Sequence, residues 1–129
     1  MSTFDVGSKG VATLRVAPEH SAEALGSGEL PVFSTPILVA LMEQAAVNAI
    51  RDRLDPDQTT VGTRIEVAHL AATPLGMEVR AEATLIEVDG RTLTFSIEAH
   101  DAREKIGEGR HRRAVISRDR FMARVEAKR

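Results

Sequence analysis

The stretch STPILVALMEQAAVNAIRDRL, residues 34–54, is the longest helical pattern in the chain. Either Ser34 or Thr35 can accept a hydrogen bond from the first free backbone N–H groups, and Pro36 sits where a missing N–H costs nothing. Ile37, Leu38, Leu41, Met42, Ala45, Ala46, Ala49, Ile50 and Leu54 recur at helical spacing, while Val39, Ala40 and Val47 carry the apolar surface almost all round. A helix with so little polar surface is expected to be buried on nearly every side. Arg51, Asp52 and Arg53 make its last turn charged, and Pro56 stops it.

The segments on either side of this helix read as sheet. Residues 11–16 alternate as a first strand ended by Pro18, residues 20–25 suit one helical turn, and Gly26-Ser27-Gly28 forms a hinge that suits a lid. After the helix, residues 59–69 are rich in β-branched side chains. A period of two puts Val61, Thr63, Ile65, Val67 and His69 on one face and Gly62 on the other, where a missing side chain allows close approach. Residues 77–88 and 92–100 alternate around Asp89-Gly90, a strong hairpin signal. A last strand over residues 106–117 carries Gly107 and Gly109, which suggest a bulge or bend, and residues 118–128 suit a short helix with Phe121, Met122 and Val125 inward.

One strand, a long apolar helix and then a run of antiparallel strands predict an α+β hot-dog fold, a curved antiparallel sheet wrapped around one long central helix. An open sheet leaves an edge that pairing of two copies would protect, so a homodimer, or a higher oligomer built from it, is expected. At 129 residues the chain is read as a single domain.

Composition narrows the function. With 43% hydrophobic and 28% charged residues this is ordinary globular material, and the absence of cysteine removes thiolate nucleophiles, disulfides and Cys-ligated metals. No apolar run approaches a membrane span and residues 1–10 do not resemble a signal peptide, so a cytoplasmic protein with no membrane partner is expected. A chain without Tyr or Trp, with 4 Phe and a net charge of -2, is a poor nucleic-acid binder. The basic residues 110–129 read either as a solvated surface or, through Arg110, Arg112 and Arg113, as a site for a phosphate-bearing ligand.

Glu43 is the first chemical candidate, because an acid inside an apolar helix is costly to ionise unless it is paired or water reaches it. The competing reading points it to the solvent edge beside Gln44. His69 ends a strand, where a lone histidine is more often structural; His20, His100 and His111 show no metal-ligand spacing to it or to one another. A helix cap explains Thr35 by itself, yet a capping hydroxyl still has a proton to donate. The N–H groups of Ile37 and Leu38 are candidates to hold an oxyanion. Thr35 and Glu43 are separated by about 12 Å of helical rise, so a compact site needs a substrate bridge, an incoming loop or a second subunit; the last is favoured.

The motifs FSTPILVALME (33–43), VGT (61–63), VAHLAATPLG (67–76), VDGR (88–91) and IGEGRHRRAVI (106–116), taken together and in order, resemble the fluoroacetyl-CoA thioesterase-like family of hot-dog proteins. The resemblance runs from about Leu30 to the C-terminus. It implies an acyl-CoA thioesterase that releases the free acid and CoA, with no cofactor or metal. Catalytic roles would fall on Thr35, Glu43 and His69, with Gly62 beside the acyl group. The specialised member's aromatic lid is replaced here by Leu25-Gly26-Ser27-Gly28-Glu29-Leu30, which points to a broader acyl-CoA substrate. An enoyl-CoA hydratase on the same fold and a non-catalytic acyl-CoA binding module are the alternatives; release of free CoA separates them from a thioesterase.

Overall fold

The computed structural model describes residues 3–129. The chain runs β1 (Lys9–Arg15), α1 (Ala22–Leu25), α2 (Thr35–Ile50), β2 (Gln58–His69), β3 (Glu78–Asp89), β4 (Thr92–His100), β5 (Lys105–Ser117) and α3 (Arg118–Glu126). Five antiparallel strands form one sheet in the order β1-β3-β4-β5-β2, which leaves β1 and β2 as its edges. The sheet curls around α2, giving the hot-dog arrangement expected from the sequence.

The core lies between that helix and the concave face. Leu38, Leu41, Met42, Ala45, Ala46 and Ile50 meet Val79, Ala81, Ala83 and Leu85 of β3 and Leu93, Phe95, Ile97 and Ala99 of β4, all buried. Period-two alternation on the strands and 3.6-residue spacing on the helix thus converge on one apolar layer. Gly10 lets β1 come against the helix backbone: a Cβ there would stand 2.3 Å from the Ala45 carbonyl oxygen and from the Ala49 nitrogen. Gly90, at φ 59°, is the first residue of the two-residue turn that joins β3 to β4, as its sequence predicted.

Three expectations need correction. The helix is not buried on every side: Ala40, Gln44 and Asn48 are exposed and Val39, Glu43 and Val47 half-buried, because a single sheet covers only one flank. Nor does α3 point all its apolar residues inward; Phe121 is half-buried, but Met122 and Val125 keep 49% and 40% exposure. The third concerns β2. Its register against β5 passes from Gly62↔Arg113 to Arg64↔Arg112, so Thr63 is an extra residue in a bulge. The bulge reverses the alternation, and Gly62 therefore faces α2 on the same side as Ile65, Val67 and His69. Gly107 does lie beside a register shift on the β4 side, whereas Gly109 sits in regular pairing and serves close approach to the Glu66 carbonyl oxygen.

Candidate active site

Ser34 and Thr35 divide the work at the start of α2. Ser34 is the cap: its side chain accepts from the Ile37 N–H at 3.4 Å, and its carbonyl takes the Leu38 N–H at 3.1 Å. Thr35, the first helical residue, is thereby released, and its Oγ1 lies 2.7 Å from His69 Nδ1. The same contacts remove Ile37 and Leu38 as free oxyanion donors, since both N–H groups are engaged by Ser34. Phe33 is buried beneath and meets the His69 ring edge-on at 6.3 Å, fixing its plane.

His69 Nε2 is buried and has no hydrogen-bond partner among the described residues. Unsatisfied buried polar atoms are uncommon, and those that persist tend to serve chemistry. Burial pulls the imidazole below its ordinary value, with the Ala71 backbone acting in the opposite direction. The ring is therefore held mainly neutral near pH 7. A cavity of about 330 Å³ opens over the pair, lined by Ala22 and Ser27 from the segment ahead of the helix, by Val32 and Phe33, and by Leu70, Ala71 and Ala72 after His69. Part of this cavity's wall thus comes from α1 and the hinge after it, where Gly26 in the left-handed conformation at φ 70° ends α1.

Glu43 belongs to a second cluster. Its side chain keeps 40% exposure, so it is not a sealed acid, and its Oε2 lies 3.5 Å from Arg113 Nη1. The Arg113 guanidinium is held from behind: Nε donates to Thr60 Oγ1 at 2.8 Å, Nη2 to the Thr60 carbonyl at 3.0 Å, and Nη1 to His111 Nε2 at 3.1 Å. Burial lowers the Arg113 value, and the Glu43 carboxylate opposes that shift. All of this sits over Gly62, where an added Cβ would come within 2.9 Å of Glu43 Oε2, 3.2 Å of His111 Cε1 and 3.4 Å of Arg113 Nη1. The absent side chain is the space in which the three groups meet.

Within one chain, then, Thr35 and His69 are together and Glu43 and Gly62 are together, but the two pairs are apart. The arginines expected to meet phosphates are also divided. Arg113 is buried and committed as described, whereas Arg110 and Arg112 point to the outer face, where Arg110 shares a groove with Glu66, Glu98 and Glu108. Lys105 lines the same groove and pairs with Glu98 and Glu108, so acids and bases alternate there rather than forming a purely basic phosphate site. The role of Arg113 was hidden in the sequence by its neighbours; only strand alternation, which sets His111 and Arg113 inward and Arg110 and Arg112 outward, hinted at it. A larger cavity of about 680 Å³, lined by Asp57, Arg91, Ser117 and Arg120 among others, holds none of Thr35, Glu43 or His69.

The family model for the fluoroacetyl-CoA-specific thioesterase FlK matches residues 16–119. The chain belongs to this family. FlK-family membership accords with 45% identity over 120 residues, 88% of this chain and 86% of the other, to the fluoroacetyl-CoA thioesterase of Streptantibioticus cattleyicolor. The crystal structure of a phenylalanine-to-alanine mutant of FlK superposes with a TM-score of 0.91 at 38% identity, covering 100% of both chains. A thioesterase superfamily member from Thermus thermophilus gives 0.91 at 26% identity, over 98% of this chain and 94% of that one. The chain is thus a hot-dog acyl-CoA thioesterase, and the likeness begins earlier than Leu30, taking in the segment that covers His69. Among the described residues, no helix is long and apolar enough to cross a membrane.

Proposed function

We propose that this thioesterase works as a homodimer in which each site draws Glu43, Gly62 and Arg113 from one chain and Thr35 and His69 from the other. The observation that carries the reading is the division just described: an unpartnered His69 Nε2 in one place and a half-exposed Glu43 in another. The β2 edge supplies the means of joining them. It is long, unpaired on one side and partly apolar through Ile65 and Val67. Antiparallel pairing of β2 with its own copy, about a two-fold axis through Glu66, sets Ile65 across from Val67 and, because Thr63 is the extra residue of the bulge, Gly62 across from His69. Both point toward the helix side because of the bulge at Thr63. The half-buried Val39 and Val47 gain cover in the same step.

In this site Glu43 either attacks the thioester carbonyl carbon, forming an acyl-enzyme anhydride that water then cleaves to the free acid and the restored carboxylate, or takes a proton from a water that attacks the same carbon; in both routes the C–S bond breaks and the CoA thiolate leaves and is protonated. His69 moves protons at Nε2. Thr35 suits that role because a hydroxyl both donates and accepts, so Nδ1 stays hydrogen-bonded in either tautomer. The Arg113 cation beside Glu43 favours the carboxylate geometry and the negative charge that develops near it. Ser27 and the small residues around the smaller cavity, in place of an aromatic lid, suit a broader range of acyl groups without selection for fluoroacetyl. The protein is proposed to act in the cytoplasm on soluble acyl-CoA esters.

Subunit mixing tests this. Glu43→Gln and His69→Ala homodimers are each expected to be inactive, whereas a one-to-one mixture re-equilibrated through unfolding should recover about a quarter of wild-type CoA release, because half the dimers carry one intact site. No recovery, with mixed dimers demonstrated by mass, would place the whole site within one chain and overturn the proposal. Single turnover in 18O water then separates the two roles of Glu43: label enters the carboxylate only if Glu43 attacks.

A further inference from the structure

We propose that His111 is a positioning residue of the thioesterase site, its neutral imidazole fixing the Arg113 guanidinium above Gly62 so that the cation meets Glu43 from one direction only. The inference rests on the reading of Glu43 as the reacting carboxylate. It starts from hydrogen bonding. His111 Nδ1 lies 2.8 Å from the Arg64 carbonyl oxygen, which can only accept, so Nδ1 carries the proton. Nε2 faces Arg113 Nη1 at 3.1 Å, and a guanidinium can only donate, so Nε2 must be the lone-pair acceptor. Only one tautomer satisfies both contacts. The ring is 1% exposed and packs against Phe95 at 6.3 Å, which leaves it no rotation and no surface role.

The charged groups that face this ring are Arg113 from its own strand and Glu43 from α2, and burial and Arg113 keep the imidazole below its ordinary value, holding it an acceptor. A second proton would set N–H against N–H. With Thr60 holding Nε and Nη2 on the other edge, the guanidinium is fixed on two sides, and Nη1 is the nitrogen that reaches Glu43. A buried cation is costly to maintain where an apolar side chain of similar volume would pack as well. Here it is directed at the half-exposed acid of the site rather than at another structural group, and Gly62 keeps the space between them clear.

The test is a double-mutant cycle in full-length enzyme, read by steady-state CoA release from acetyl-CoA, circular dichroism and thermal unfolding. His111→Leu should lower kcat tenfold or more with KM within threefold. In an Arg113→Gln background the same change should cost less than twofold, because His111 acts through Arg113. Equal losses in both backgrounds, or a kcat loss matched by loss of folded protein, would assign His111 to packing alone and overturn the proposal. Should His111→Leu not fold, two polar variants decide. His111→Gln offers an acceptor near the Nε2 position and His111→Asn only a donor near Nδ1, so Gln is expected to retain the higher kcat; Asn equal to or above Gln would reject the role. Glu43→Gln in the same assay tests the parent reading separately, since full turnover there would remove Glu43 itself.

Discussion

Replacing Gly62 by alanine adds one methyl group at the point where Glu43, His111 and Arg113 converge. The backbone accepts it, because Gly62 is not among the glycines with positive φ. The new Cβ would stand 2.9 Å from Glu43 Oε2, so the carboxylate must retreat by about 0.5 Å to reach ordinary contact. A misplacement of about 1 Å in a reacting group can cost about 100-fold in rate, so a loss of about 10-fold in kcat/KM is expected. Stability should change little. Less chain entropy in the unfolded state favours alanine by about 0.4–1 kcal/mol and the flexible end of Glu43 yields at small cost, while the 3.2 Å approach to the fixed His111 ring opposes this by an amount on the order of 1 kcal/mol. The thermal midpoint should therefore stay within about 5 °C. Release of CoA from acetyl-CoA, followed with a thiol-reactive dye beside a thermal melt, gives both numbers. A folded Gly62→Ala enzyme with kcat/KM within twofold of wild type would refute the placement of Glu43 over this glycine as a catalytic feature.

Other perturbations address different parts of the molecule. Thr35→Ser keeps the hydroxyl against His69 Nδ1 and should retain most of the activity, whereas Thr35→Val should lose about 10²-fold in kcat; equal rates would show that the 2.7 Å contact does no chemical work. Gly10→Ala forces a methyl group into the α2 backbone, with 2.3 Å to the Ala45 oxygen, and should cost on the order of 3 kcal/mol in urea unfolding, far from the site but fatal to the packing of β1. Burial depresses both His69 and His111, so below pH of about 6.5 the unfolded chain binds protons that the folded chain resists, and stability from these two groups is lost as pH falls. Urea midpoints for wild type should drop more between pH 7.5 and 5.5 than those of a His69→Gln variant, to the order of magnitude that one titrating group allows. The acid limb of kcat/KM should likewise lie below pH of about 6.5, and a limb centred above it would contradict a buried neutral His69.

Much of the fold was legible because its signals are local. Pro36 after Ser34-Thr35, the helical spacing of Leu38, Leu41, Met42, Ala45 and Ala46, and Asp89-Gly90 between two alternating strands each act within a few residues. Legibility failed where a choice depended on a distant partner. Nothing local decides whether Ser34 or Thr35 caps the helix; the decision follows from His69, 34 residues away, taking the Thr35 hydroxyl. Nothing in VGT announces that Thr63 is an extra residue, since a bulge exists only relative to the strand it pairs with. Arg113 read as one more member of a basic run because its partners Thr60 and His111 are brought to it by the β2–β5 pairing.

By itself the sequence determined the elements and the cast: one capped apolar helix carrying Glu43, a set of alternating strands, and a motif order that identified the thioesterase family. Those properties depend on backbone preferences and hydrophobic periodicity, which neighbours along the chain settle among themselves. Tertiary structure decided which side each actor faces. The register shift at Thr63 turned Gly62 toward the helix, the β2–β5 ladder drew Arg113 inside to Glu43, and the curl of the sheet over only one flank of α2 left Glu43 half-exposed. A side chain's face is fixed by which strand it pairs with and where the ladder slips, and those are facts about two segments at once.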